Sequence, residues 1–96
     1  MKIVNIVCPA SIEEKIEAKH RVTFREVRQM LIGNPRIRFA EKGHIKGEDV
    51  YAAFGQSFGG RYLASYFVYK PESKTAIIIS ARDMSAKERK SYAGKK

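Results

Sequence analysis

His20 stands between Lys19 and Arg21, and histidine is the side chain best suited to moving protons near neutral pH. The arginines add a second capability, because a guanidinium fork holds two oxygens of one phosphate. Metal-free cleavage of RNA asks for such a set. A base takes the 2′-hydroxyl proton, a cation stabilises the pentacoordinate phosphate, and an acid protonates the leaving oxygen. The plain alternative for His20 is a residue closing a helix, where the dipole favours positive charge. His44, the other histidine, falls in a loop-forming stretch. The chain has no paired-histidine metal motif, no phosphate-cradling Gly-Lys-Ser loop and no Gly-x-Ser-x-Gly elbow. No metal or organic cofactor is expected.

The charge points the same way. A net charge of +9 on 96 residues attracts polyanions by steering and by counterion release. The cations recur from Lys19 to Lys90, including Arg25, Arg28, Arg36, Arg38, Arg61, Arg82 and Arg89, so the charge is not a tail effect. Charge alone leaves nucleic acid and an acidic protein partner both open. One cysteine, Cys8, excludes an intrachain disulfide and a cysteine-based metal cluster. No apolar run is long enough for a membrane span and no signal peptide is visible, so cytoplasmic residence without membrane contact is expected.

These residues need elements to position them. The length fits one domain, residues 1–96, and a hydrophobic fraction of 44% is enough for a modest core. Lys2 to Cys8 reads as a short strand of β-branched residues. Ser11/Glu14, Thr23/Glu26 and Ser85/Glu88 each have the spacing of a capping box. They predict helices at about Ile12–His20, Phe24–Ile32 and Ala86–Tyr92, with Phe24, Val27, Met30 and Leu31 as the buried stripe of the second. Gly33 with Asn34-Pro35 stops that helix, and Gly94 follows the last. Between them, Arg36–Ala40, Asp49–Gly55, Arg61–Lys70 and Thr75–Ala81 read as strands joined by tight turns, with Glu41–Lys46 as a flexible loop. Ala76 to Ile79 lacks polar alternation and predicts a central strand covered on both faces. The fold class is α+β: an antiparallel sheet of about four strands packed with two N-terminal helices and one C-terminal helix.

Register decides what the arginines can do. With Lys70 paired to Thr75, Leu63 falls opposite Arg82, and Arg61 becomes a diagonal neighbour of Arg82, close enough for both to hold one phosphate. A shift of one residue would put them on opposite faces. The strand aromatics, Tyr51, Phe54, Tyr62, Tyr66, Phe67 and Tyr69, read mainly as core.

Five segments occur in an order that resembles the BrnT toxin family. They are Lys19-His20-Arg21-Val22-Thr23-Phe24-Arg25-Glu26-Val27, Gly47-Glu48-Asp49-Val50-Tyr51 with Gly55, Gly60-Arg61-Tyr62-Leu63, Ile79-Ser80-Ala81-Arg82-Asp83-Met84, and Glu88-Arg89-Lys90-Ser91-Tyr92. The resemblance as a whole runs from about Lys15 to Tyr92. The resemblance implies a RelE-like ribonuclease fold and an RNA-cleaving toxin that arrests growth. It also implies a ribbon-helix-helix antitoxin (BrnA-like) that neutralises the toxin, with operator DNA bound only through that antitoxin. By position it singles out His20, Arg61, Arg82 and Glu48 as catalytic candidates, with Lys19 steering RNA; Arg21 is an RNA-binding candidate by its charge beside Lys19, not by the resemblance. The chain departs from the family pattern in having no tryptophan, in its Met1–Pro9 segment, and in Arg21, where a glycine usually follows Lys-His.

Overall fold

The computed structural model describes residues 1–94. A five-stranded sheet has the order β1-β5-β4-β3-β2, with β1 at Asn5–Val7, β2 at Arg36–Glu41, β3 at Val50–Gln56, β4 at Tyr62–Lys70 and β5 at Thr75–Asp83. Strands β2 to β5 are antiparallel neighbours, while β1 adds to the edge of β5 in parallel. The fold is therefore the expected α+β arrangement with one strand more than the four of the antiparallel meander.

Helices α1 (Ala10–His20) and α2 (Phe24–Ile32) cover one face of the sheet. Ile16, Val27, Met30 and Leu31 meet Ala53, Leu63, Phe67, Ile78 and Ala81 there, in the main core. Phe24 is only half-buried, so the α2 stripe is narrower than its sequence suggested. Gly55 makes the approach of α2 possible: a Cβ on it would stand 2.8 Å from Met30 Cγ. Helix α3 (Ala86–Gly94) lies on the opposite face, where Tyr92 packs against a smaller cluster of Ala52, Phe54, Ala64 and Met84. Gly94 is the last residue of that helix rather than the residue after it. No helix among the described residues is long and apolar enough to cross a membrane.

Two of the three expected capping boxes form. Thr23 Oγ1 accepts the Glu26 N–H at 3.2 Å, and the Glu26 carboxylate accepts the Thr23 N–H at 3.0 Å. Ser85 and Glu88 exchange the same pair of bonds. Ser11 does not cap α1. The helix starts two residues earlier than expected, at Ala10, with Pro9 at the cap position, its carbonyl accepting from Ile12 and Glu13. Proline favours this because it has no N–H to leave unsatisfied at a helix start.

Strand β5 is not the fully covered central strand that its isoleucines suggested. Only β1 lies beyond it, and Ile79 is 41% exposed. Ile79 is the extra residue of a bulge, since Tyr66 pairs with Ser80 and Phe67 with Ile78. The buried Ser65 hydroxyl donates to the Ser80 carbonyl beside it.

Candidate active site at the sheet end

The bulge moves the register. Lys70 does pair with Thr75, but past Ile79 the partners shift, so Leu63 meets Asp83 and Ala64 meets Arg82. Arg61 consequently shares the α1/α2 face with Leu63, while Arg82 shares the α3 face with Ala64. The expected two-arginine phosphate clamp does not exist in this geometry. A one-residue slip turns every side chain over, and the bulge supplies that slip.

Each arginine builds its own assembly. Arg61 leaves the β3–β4 turn with its N–H donating to Ser57 Oγ and its carbonyl accepting from Ser57 N–H. Its guanidinium then reaches four partners. Nε and Nη2 donate to the two carboxylate oxygens of Asp83 at 2.7 and 3.0 Å. Nη1 donates to Glu26 Oε1 at 3.1 Å and to the Arg21 carbonyl at 2.7 Å, and Nη2 also donates to the His20 carbonyl at 3.0 Å. A guanidinium has five N–H donors, and these bonds use all of them. Arg61 thus ties the end of α1, the start of α2 and the end of β5 into one joint. It also places positive charge on the last carbonyls of α1, where the helix dipole is negative.

Titration follows from these contacts. Hydrogen bonding from Arg61 holds the Asp83 carboxyl below its ordinary range, with His20 contributing through its charge. The imidazole of His20 therefore sits within electrostatic reach of Asp83. Partial burial pushes the Glu26 carboxyl up, but bonds from the Thr23 backbone and from Arg61 outweigh it and the net shift is downward. The Arg61 guanidinium is held more firmly protonated, chiefly by Asp83.

Lys19, His20 and Arg21 are all exposed at this joint. Arg21 adopts the left-handed conformation, φ 54° and ψ 36°, and its N–H closes α1 on the Glu17 carbonyl at 3.0 Å. Arg21 thus holds a backbone geometry that glycine adopts without penalty, at a cost of about 1 kcal/mol.

Arg82 binds Glu88 on α3 through a bidentate pair, 2.7 and 2.9 Å, and its Nη2 reaches Tyr66 Oη at 3.3 Å. The bond from Arg82 lowers the Glu88 carboxyl to about 2. Glu48 is remote from both assemblies. It pairs with Lys70 Nζ at 2.6 Å, and the strand rise puts Lys70 roughly 30 Å from Arg61 along β4. The sheet end therefore gathers Lys19, His20, Arg21 and Arg61, leaves Arg82 on the other face, and excludes Glu48. Sequence reasoning missed Glu26 and Asp83 as partners of Arg61. Glu26 was visible only as a capping residue and Asp83 only as a neighbour of Arg82.

The relatives match this architecture. The family model described as "Ribonuclease toxin, BrnT, of type II toxin-antitoxin system" matches residues 13–88. The crystal structure of the Brucella abortus ribonuclease toxin BrnT superposes with a TM-score of 0.62 at 19% sequence identity. The match covers 85% of this chain and 97% of that one, and it shows the shared fold. No curated protein gives a significant sequence match. A family match over residues 13–88, on a fold shared with a solved member, establishes that the chain belongs to the BrnT family of ribonuclease toxins of type II toxin–antitoxin systems.

Proposed function

We propose that this BrnT-family protein is a metal-independent endoribonuclease acting in the cytoplasm as one domain, with its reacting centre at the His20 end of α1. The observation that carries this reading is the Arg61 joint, which holds the His20 and Arg21 carbonyls and leaves the Lys19, His20 and Arg21 side chains exposed beside Asp83. His20 takes the proton from the RNA 2′-hydroxyl, the 2′-oxygen attacks phosphorus, and the bond to the 5′-oxygen breaks as water gives that oxygen a proton, leaving a 2′,3′-cyclic phosphate and a 5′-hydroxyl. Lys19 and Arg21 attract the flanking phosphates. Arg61 is a positioning residue in this scheme, because its donors are already committed to protein acceptors. A ribbon-helix-helix antitoxin neutralises the toxin by binding it, and operator DNA is reached only through that antitoxin.

The test is cleavage of a long unstructured RNA by purified protein in EDTA, with His20→Ala beside it. Loss of a general base costs about 10²–10⁴-fold in rate. Wild-type cleavage with that loss in a folded variant supports the reading. Unchanged cleavage by His20→Ala removes His20 from the centre. Salt-sensitive RNA binding without cleavage by the wild type would leave a binding module in place of an enzyme.

A further inference from the structure

Ala76-Ile77-Ile78-Ile79 has the composition of a strand covered on both faces, yet the chain covers it on one. Ala76 and Ile78 are buried in the main core with α1 and α2. Ile77 and Ile79 alternate to the other face, and among the described residues neither belongs to either core. The register extends them into a row. Val7 lies opposite Ile77, Ile77 opposite Val68, and Val68 opposite Val50, one residue from each of four adjacent strands. Val7 is 47% exposed and Ile79 41%, while Ile77, Val68 and Val50 are half-buried. Helix α3 shares this face but packs farther along it, where Tyr92 meets the cluster of Phe54, Ala64 and Met84. Glu41, opposite Val50, ends the row at the β2 edge. Arg38 lies on the α3 side of the row, and beyond its other side Lys70 is paired with Glu48. The water-facing side of an antiparallel sheet normally alternates to polar residues. Five aliphatic side chains grouped there mark a surface built to be covered.

We infer that this row docks an acidic amphipathic helix of the antitoxin, an assignment that rests on the antitoxin partner in the reading above but not on the ribonuclease. Three strand spacings make the row about 14 Å long, the length of about nine residues of helix. Apolar residues at i, i+3 or i+4, and i+7 of such a helix span most of it. The row is β-branched throughout, so its side chains are stiff before a partner arrives and little rotamer freedom is lost on docking. Charge selects the occupant. A surface carrying +9 draws a partner rich in carboxylates, whereas a second copy brings the same +9 and is repelled. The row also lies on the face opposite α1, and Val68 is roughly 24 Å along β4 from Arg61. A helix seated there grips the toxin without entering the His20 centre, so gripping and blocking belong to different parts of the antitoxin.

The experiment is calorimetric titration of the purified toxin with its cognate antitoxin, the product of the adjoining reading frame, with the fold of each variant checked by circular dichroism. Val7→Lys with Val68→Lys places two ammonium groups in the row. It should bind at least about 30-fold more weakly than wild type, even though added positive charge favours an acidic partner. Val7→Thr with Val68→Thr keeps the branched shape and the strand propensity, so it tests the apolar contact without endangering the fold. It should weaken binding about fivefold. Ile32→Lys with Phe58→Lys, at exposed apolar residues of the α2 end and the β3–β4 turn, should bind within about threefold of wild type. Wild-type affinity in the folded Lys and Thr variants overturns the docking face. A wild type that sediments alone as a dimer, with a monomeric Lys variant, overturns it too and gives the face to a second copy. RNA cleavage in EDTA is scored on the same proteins. A wild type that cleaves nothing while the Lys variant loses the antitoxin keeps the docking face and removes the ribonuclease. A Lys variant that cleaves like wild type and is still silenced by equimolar antitoxin removes the docking face and keeps the ribonuclease.

Discussion

Arg61→Ala removes the joint at the sheet end, and its cost can be worked partner by partner. The Asp83 side chain is 57% exposed, so that ion pair contributes about 0–1 kcal/mol. Glu26 is more enclosed, with 27% of its side chain exposed. It keeps its bonds from Thr23 but loses a charged partner, which costs about 1 kcal/mol. The His20 and Arg21 carbonyls each lose a charged donor that water can partly replace, about 0.5 kcal/mol apiece. The total is about 2–3 kcal/mol, which for a domain of this size lowers Tm by roughly 10–20 °C. Arg61→Lys should recover less than half, because one ammonium cannot span four acceptors. Urea and thermal unfolding followed by circular dichroism measure the cost, and RNA cleavage is assayed on the same samples well below Tm. The pH dependence adds a check on the cause. Asp83 and Glu26 are both held below their ordinary range, so their contribution is present above about pH 4 and is lost as pH falls further. The Arg61→Ala penalty should therefore shrink in acid. An Arg61→Ala protein as stable as wild type but unable to cleave RNA would refute the joint and make Arg61 a phosphate ligand.

Other perturbations have signs fixed by the geometry. Arg21→Gly relieves the left-handed backbone and should raise stability by about 0.5–1 kcal/mol, read as a higher urea midpoint. Glu88→Gln breaks the pair with Arg82 and should cost about 1–2 kcal/mol at pH 7 after allowing for solvent screening. Because the Glu88 carboxyl titrates at about 2, that difference should be full above about pH 4.5 and vanish as pH falls to 2, which unfolding at a series of pH values would show. Gly55→Ala forces a methyl against the buried Met30 side chain and should cost about 1–3 kcal/mol by the same denaturation assay.

The local grammar of the chain was legible where a motif is also a set of hydrogen bonds. Thr23/Glu26 and Ser85/Glu88 have the right spacing and do close their helix starts, and the α2 and α3 positions follow. Ser11/Glu14 has the same spacing but stands behind Pro9, which takes the cap first. The site was harder to read because its composition depends on the parity of β5. A run of isoleucines gives no sign of which residue is the extra one, and placing the bulge at Ile79 moved Arg82 to the far face. His20 with Arg61 was recoverable from residue type and the family pattern. Glu48 was not separable from them, because its distance from the sheet end depends on which end of β4 it meets. The aromatics that read as core divide by face. Phe67 is buried under α1 and α2, whereas Tyr62 and Tyr66 each support an arginine beneath α3.

The parallel pairing of β1 with β5 has a consequence for how the chain folds. Asn5 meets Thr75, so this contact closes a loop of about 70 residues, on the order of 4 kcal/mol in chain entropy if nothing else has formed. The β3–β4 and β4–β5 hairpins close only short turns and should form first, leaving a ready template for β1. Only three residues of β1 pair there, Val4 and Val7 are exposed, and Ile3, Ile6 and Cys8 are only partly buried against the core, so no fully buried side chain holds the strand in place. The strand is then the last to arrive and the first to leave. In hydrogen exchange, the amides of Asn5–Val7 should open independently, minutes to hours before the β4–β5 ladder beside them.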